Sequence, residues 1–344
     1  MSRVTGAVAA RLAGGRLHLQ HGPIDLVIGI DGEARAVAAA ERRAADAFAP
    51  VLDALVGELG ALRSPVSGAA SPAGAGVGCA DGHVADPHAG LVGPVARRMA
   101  AAARPWHPSF VTPMAAVAGA VADHVLAAIL GADGAGVDGA SEELCGNGRG
   151  LRRAAVNDGG DIALWLASGE RYRVGLCTDP HTGELAGRAE LAAGDGVGGV
   201  ATSGRLGRSR SLGIADAVTV LARTAAAADV AATLIANAVD LPDDPRVERV
   251  PAHELSPDSD LGARAVTVGV ARLDAASRAR ALDAGARAAD ACRRAGTIDA
   301  AFLHLQGRSV TVGRRGIVRP FDRVGAISRD AGPASDTASP RSAS

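Results

Sequence analysis

The chain reads as an α+β sandwich, a mainly antiparallel sheet with helices packed on it, and three observations predict this. Short strand-like runs follow one another in sequence with Gly-rich corners between them, too close for crossover helices. The helical segments fall in blocks rather than after every strand. The run Gly194-Asp195-Gly196-Val197-Gly198-Gly199 has the glycines of a dinucleotide fingerprint but leads into Val200-Ala201-Thr202-Ser203-Gly204 rather than a helix, so it marks a tight turn.

Taken in order, residues 16–20 and 24–30 run apolar or alternate around His21-Gly22-Pro23, the pattern of a strand pair. Residues 34–62 carry Arg and Glu on one side of an otherwise apolar periodicity and predict one long amphipathic helix. Helices follow over 94–103 and 113–130, each with Pro in its favoured first turn. The segments 64–93 and 131–150 lack periodicity and are expected to be mobile loops. Further on, strands are expected at 154–156, 162–167, 171–178, 218–221, 265–270 and 300–305, and helices at 224–239 and 275–295. Residues 1–15 read as an N-terminal extension, 16–328 as one domain, and 329–344 as a disordered Ser-, Ala- and Pro-rich tail.

The segment 224–239, TAAAADVAATLIANAV, is the most informative. Asp229, Thr233 and Asn237 recur every fourth residue and stack as one polar stripe on an apolar helix. Such a helix is expected to be buried, and a buried carboxylate is costly unless paired. All 36 basic residues are arginine, so no lysine is available to pair with it. The stripe therefore needs an arginine, backbone N–H groups or a bound cation. An Asp carboxylate one turn from a Thr hydroxyl is half of a site for Mg²⁺, a hard ion that takes oxygen ligands and shares them with phosphates. The structural alternative is an Asp satisfied by backbone amides and a Thr bonded within its own helix.

Composition removes many functions. Without lysine there is no P-loop, Schiff-base enzyme or Lys general base. No G-x-S-x-G elbow occurs, and the nine histidines show neither H-x-x-x-H nor H-E-x-x-H spacing. A net charge of -1 argues against a nucleic-acid footprint. The core must be built from Ala, Val and Leu, because aromatics are only 2%. Cys79, Cys145, Cys177 and Cys292 are scattered, without a C-x-x-C pair, and the apolar segments 113–130 and 218–239 are each interrupted by charge. With no apolar run of signal length at the N-terminus, these features predict a soluble cytoplasmic protein with no membrane partner.

Two further patches offer chemistry. In Asn157-Asp158-Gly159-Gly160-Asp161 the glycine pair lets backbone amides approach a ligand. Ala201-Thr202-Ser203-Gly204 brings two hydroxyls beside Arg205, Arg208 and Arg210, an anion-holding corner. Either one alone reads equally as a turn held by Asp or Ser side chains.

Val156 through Ile162, then Ala201-Thr202-Ser203-Gly204, then Ala228-Asp229 with Thr233, in that order, resemble the ApbE-like superfamily, whose characterised members are FAD:protein FMN transferases. The likeness is closest to its uncharacterised cytoplasmic branch, through the SLGIADAVTVLARTAAAAD…ATLIANAVD run, and covers about residues 16–310. The resemblance implies a T-fold-related sandwich. It also implies Mg²⁺ held by Asp229, Thr233 and a backbone carbonyl near Val117, with Asp123 at the family spacing. Asn157, Gly159, Gly160, Asp161, Thr202, Ser203, Gly204 and Gly119 would then lie along a flavin nucleotide, FAD by the family's habit. Asp216 and Asp161 are the candidate general bases. There are departures: the family lysine is Ala118, and Ser211-Leu212-Gly213-Ile214-Ala215-Asp216 stands where the transferases carry a histidine and an Asp-Pro-x-T-G run. Asp179-Pro180-His181-Thr182-Gly183 has that pattern but comes earlier and reads as a hairpin turn. The expected function is Mg-dependent binding of a flavin nucleotide, with pyrophosphate cleavage or FMN transfer to an acceptor protein of unknown identity. The alternatives are a non-catalytic flavin or pterin carrier, and a structural protein whose stripe is only a buried polar network.

Overall fold

The computed structural model describes residues 6–67, 86–131, 150–314, 316–321 and 327–329. Its strands are β1 (Val8–Arg11), β2 (Leu17–His21), β3 (Ile24–Gly32), β4 (Leu151–Asp158) and β5 (Asp161–Leu166). Then come β6 (Arg171–Asp179), β7 (Glu184–Ala192), β8 (Gly199–Ser203), β9 (Ala217–Ala222) and β10 (Val247–Pro251). The last are β11 (Ala265–Val270), β12 (Ala300–Leu305), β13 (Arg308–Gly313), β14 (Val318–Pro320) and β15 (Ile327–Arg329). The helices are α1 (Ala34–Phe48), α2 (Val51–Gly57), α3 (Leu59–Leu62) and α4 (Pro94–Ala103), followed by α5 (Val117–Leu130), α6 (Ala225–Ala238), α7 (Ala252–Leu255) and α8 (Ala275–Arg294).

A 10-stranded sheet runs β1-β2-β3-β4-β5-β8-β9-β12-β13-β15. Its pairings are antiparallel except β13 with β15. The small sheet β14-β7-β6 covers one face, burying Leu176, Leu191 and Phe302 between the two sheets. The helices cover the other face in two blocks. Leu26, Ile28 and Val156 pack under α1, α4 and α5, and Val220, Leu303 and Val310 under α6 and α8. The chain is thus an α+β sandwich of mainly antiparallel sheet with packed helices. Pro113–Leu130 is long and apolar enough to cross a membrane by length and composition, but here it lies mostly buried among α1, α4, α6 and the sheet.

Several expectations change. The long helix over 34–62 is three helices: Pro50, which has no N–H to continue α1, separates the first two, and Glu58, out of helical geometry at φ -110°, separates the last two. Only 117–130 of the helix expected over 113–130 is α-helical; Pro113–Ala116 is a 3-10 turn. Val8–Arg11, inside the expected N-terminal extension, pairs with β2 as a strand. Thr202 and Ser203 sit in β8 rather than in a corner. Asp179 to Gly183 is indeed the β6–β7 hairpin turn. Residues 68–85, 132–149 and 330–344, which cover most of both expected loops and nearly all of the expected tail, lie outside the described residues.

Candidate functional site

The alanine run that opens α6 has two consequences. Alanine is the best helix former, and its small side chain lets neighbouring backbone come close. At Gly119 on α5, a Cβ would stand 2.3 Å from the carbonyl oxygen of Ala225, so the crossing of α5 and α6 requires glycine there. Thr224 caps α6 by accepting the Ala227 N–H at 3.2 Å. Asp123, from α5, accepts the N–H groups of Ala225 and Ala226 at 3.0 and 2.9 Å. A carboxylate on one helix therefore closes the N-terminus of the next, where the helix dipole also favours it.

The polar stripe of α6 has three different partners. Asp229 accepts the Gly119 N–H at 3.1 Å. Thr233 donates its hydroxyl hydrogen toward the Ser203 hydroxyl at 3.5 Å. Asn237 accepts from the Leu212 N–H at 2.9 Å and the Ser211 hydroxyl at 3.3 Å, pinning the segment that leads to β9. Gly213 permits that seat, since a Cβ there would lie 2.1 Å from the Ala236 carbonyl oxygen.

Opposite Asp229 lies the β4–β5 hairpin. Asn157 accepts the Gly160 N–H at 2.8 Å, and Gly159 and Gly160 take φ of 63° and 118°, values that L side chains rarely adopt. The turn holds Asp158 and Asp161 on the helix-covered face of the sheet, the face shared by Val156 and Ala163. Asp161 accepts the Thr202 N–H at 3.0 Å, and the Thr202 hydroxyl bonds that of Thr219 at 2.8 Å.

This brings acids together, and among the described residues no arginine is hydrogen-bonded to Asp123, Asp158, Asp161 or Asp229. Burial, opposed by the Thr202 N–H and reinforced by the charge of Asp158, pushes Asp161 up to about 7. Burial pushes Asp158 to about 6, against a backbone hydrogen bond from Asp25 and the charge of Arg208. Asp123 is also raised by burial to about 6, despite its two amide donors. Asp229 is raised well above the ordinary carboxylate range, by burial first and by the charge of Asp161 next. Asp161, Asp229 and Thr233 each keep some accessible surface, so they line a recess rather than a sealed core.

Among the described residues named here, the groups that gather at this recess are carboxylate and hydroxyl oxygens, which suit a hard cation such as Mg²⁺. Among the described residues no three His, Cys, Asp or Glu side chains form a metal-holding group by themselves, so hydroxyls and ligand oxygens would complete the coordination. Val117 is the first residue of α5, whose carbonyls point along the helix axis; what the 117–119 segment gives Asp229 is the Gly119 N–H.

Asp216 lies apart from this group. It pairs with Arg205 at 2.5 Å and accepts the Gln306 N–H, which engages both of its oxygens. Gly204 admits that arrangement, since a Cβ there would meet the Asp216 carbonyl oxygen at 2.4 Å. The structure thus gathers Asp229, Thr233, Asp161, Ser203 and Gly119, and gives Asp123 and Asn237 bonds that hold α6 in place. Sequence reading did not select Asp158 as a site residue; the signal available was an acid on each side of Gly159-Gly160, two strand ends that a tight hairpin brings side by side.

The fold and this recess define an α+β protein with a cluster of carboxylates and hydroxyls beside the crossing of two helices. Residues 9–311 match the family described as AbpE bacteria, and the chain belongs to that family. It is 40% identical over 166 residues to a UPF0280 protein of Methanopyrus kandleri, covering 48% of this chain and 56% of the relative. A UPF0280 protein of Methanothrix thermoacetophila is 34% identical over 146 residues, covering 42% and 52% respectively. The chain spans about half the length of the curated relatives it matches. Among solved structures it is similar to the apo flavinyl transferase ApbE of Pseudomonas stutzeri, at 14% identity and a TM-score of 0.36, covering 92% of this chain and 94% of that one.

Proposed function

We propose that the protein binds a flavin nucleotide, FAD, in the Asp161–Asp229 recess together with Mg²⁺, and acts on its pyrophosphate. Family membership supports the flavin, and one observation carries the metal. Asp229 lies deep, beside Asp161, with a single backbone donor and no arginine bonded to it among the described residues. A carboxylate so placed is expensive, and a divalent cation is the partner that its neighbouring carboxylate and hydroxyl oxygens suit.

In this reading Asp229 and Thr233 hold Mg²⁺ with a carbonyl from the Val117 region, and Asn157, Gly159, Gly160, Thr202, Ser203, Gly204 and Gly119 border the nucleotide. Bound there, Mg²⁺ supplies charge neutralisation at the pyrophosphate oxygens. Asp161, pushed up to about 7, is suited to take a proton from an attacking water or acceptor hydroxyl near neutral pH. Asp216, with both oxygens engaged, suits orienting the chain around Gly204 better than moving a proton. Asp123 serves the site by fixing α6. A protein substrate would offer the acceptor hydroxyl. The free thiols of Cys177 and Cys292 are in keeping with work in the cytoplasm.

A second reading is a flavin or pterin carrier without turnover. It is supported by Ala118 standing where the transferases carry lysine and by the ion-paired state of Asp216. A third is a structural protein in which the α6 stripe is only a buried network. Incubation with FAD and Mg²⁺ separates them: AMP or FMN released supports the transferase-like reading, and FAD bound intact supports the carrier. No Mg²⁺ effect on binding or stability leaves the structural one.

A further inference from the structure

The Asp158–Asp161 hairpin carries two deep carboxylates, and the charge that reaches both comes from Arg208. Arg208 belongs to the segment between β8 and β9, directly after Gly207, and is exposed. Its guanidinium nevertheless brings one terminal nitrogen up against Gly159. A Cβ built on that glycine would stand 2.1 Å from one terminal nitrogen and 3.1 Å from the central carbon of the group. The φ of 63° requires glycine at 159, and the tip of the arginine occupies the space beside it. No hydrogen bond from Arg208 to a described residue holds it there. An arginine lying on a turn without a fixed bond, beside unneutralised carboxylates, is placed to exchange partners.

The geometry points to Arg208 as the built-in counter-ion of the Asp158–Asp161 hairpin, displaced when a divalent cation arrives with a nucleotide diphosphate. It is a positioning residue. In the resting chain it lies over the acidic turn and opposes a bare cation by like charge. When metal and nucleotide enter together, the guanidinium leaves the acidic turn and offers its planar fork to phosphate oxygens. Metal binding thereby becomes contingent on the nucleotide. This inference rests on the metal reading of Asp229 given above.

The test is a titration of the full-length protein with Mn²⁺ alone, and again with saturating FAD, following free Mn²⁺ by electron paramagnetic resonance. Arg208→Gln is expected to bind Mn²⁺ alone about tenfold more tightly than the wild type, the effect of removing one nearby positive charge at a partly solvated site. Its gain on adding FAD should be smaller than the wild-type gain. Arg208→Lys, which keeps the charge, should restore weak binding of the bare ion, an outcome that a purely structural role for the arginine would not produce. If the wild type binds Mn²⁺ with FAD but Arg208→Gln binds the bare ion no more tightly, the counter-ion role is wrong and the metal site stands. If no variant binds Mn²⁺ with or without FAD, the metal site and the role of Arg208 fall together.

Discussion

Asp123 and Ala226 face each other across two helices, the carboxylate of α5 taking the second backbone N–H of α6 at 2.9 Å while its other oxygen takes the Ala225 N–H. One turn along each helix, the relationship is reversed in direction, and Asp229 of α6 accepts the Gly119 N–H of α5. These reciprocal bonds lock the crossing that sets Asp229 against Asp161. The candidate site is thus built on the rigid part of the fold, and the predictions below separate the lock from the pocket it holds.

Gly119→Ala attacks the lock. Its methyl group would lie 2.3 Å from the Ala225 carbonyl oxygen, which is backbone and cannot rotate away. Overpacking of this kind costs about 1–3 kcal/mol. A lowered midpoint in thermal or urea unfolding is expected, together with weaker Mg²⁺ binding, because α6 must shift. Unchanged stability would show that the two helices are not pressed together at Gly119.

Asp123→Ala should also destabilise, by about 1–3 kcal/mol, as two N–H groups at the start of α6 lose their acceptor. Asp123→Asn, with one carboxamide oxygen, should recover part of the loss. Equilibrium unfolding of the two variants measures both effects.

The acids give a definite pH dependence. In the folded chain Asp123 and Asp158 are raised to about 6 and Asp161 to about 7, all above an unfolded value of 3.8. The folded state then holds more protons than the unfolded state between these values. The associated stability is fully present below about pH 4 and is lost as pH rises through about 6 to 7. On the order of a few kcal/mol is at stake across that window. Metal-free protein should therefore unfold at a lower temperature at pH 8 than at pH 5, once effects of other groups are controlled with Asp161→Asn. Mg²⁺ should reverse the loss at pH 8, where the carboxylates are ionised and able to bind it. A melting temperature that rises from pH 5 to pH 8 without metal contradicts this electrostatic picture.

Asp161→Asn keeps the Thr202 N–H acceptor but removes the ionisable oxygen. If Asp161 takes the proton, release of AMP or FMN from FAD should fall by about 100-fold or more. The rise of wild-type rate with pH near 7 should vanish with it. A variant whose rate and pH profile match the wild type points to another base.

Much of this was readable in the sequence because its signals are local. The four-residue spacing of Asp229, Thr233 and Asn237 puts them on one helix face, and Pro94 and Pro113 mark where helical turns begin. Gly159-Gly160 between two apolar runs reads as the hairpin it forms. What escaped depends on contacts between distant segments. Nothing near Asp123 indicates that it caps a helix about 100 residues later. Glu184–Ala192 pairs with β6 and seals the second sheet, but its interrupted alternation hides a strand whose partners are non-local. Arg208 sits in a Gly- and Ser-rich stretch, and only the fold brings its guanidinium onto Gly159. Pro50 marks the end of α1 locally, although amphipathic periodicity continues across the break.

The central claim is that Asp229 holds a divalent cation for a flavin nucleotide. It is tested most directly by titrating wild type and Asp229→Ala with FAD, following flavin fluorescence, once in Mg²⁺ and once in EDTA. The expected result is binding by the wild type in Mg²⁺ that EDTA abolishes, and none by the variant in either buffer. The variant should unfold at the same temperature or higher, because a deep, weakly compensated carboxylate has been removed. Binding that ignores EDTA, or a variant that binds FAD as the wild type does, contradicts the claim. A variant that unfolds while the wild type never responds to Mg²⁺ leaves Asp229 as part of a structural network.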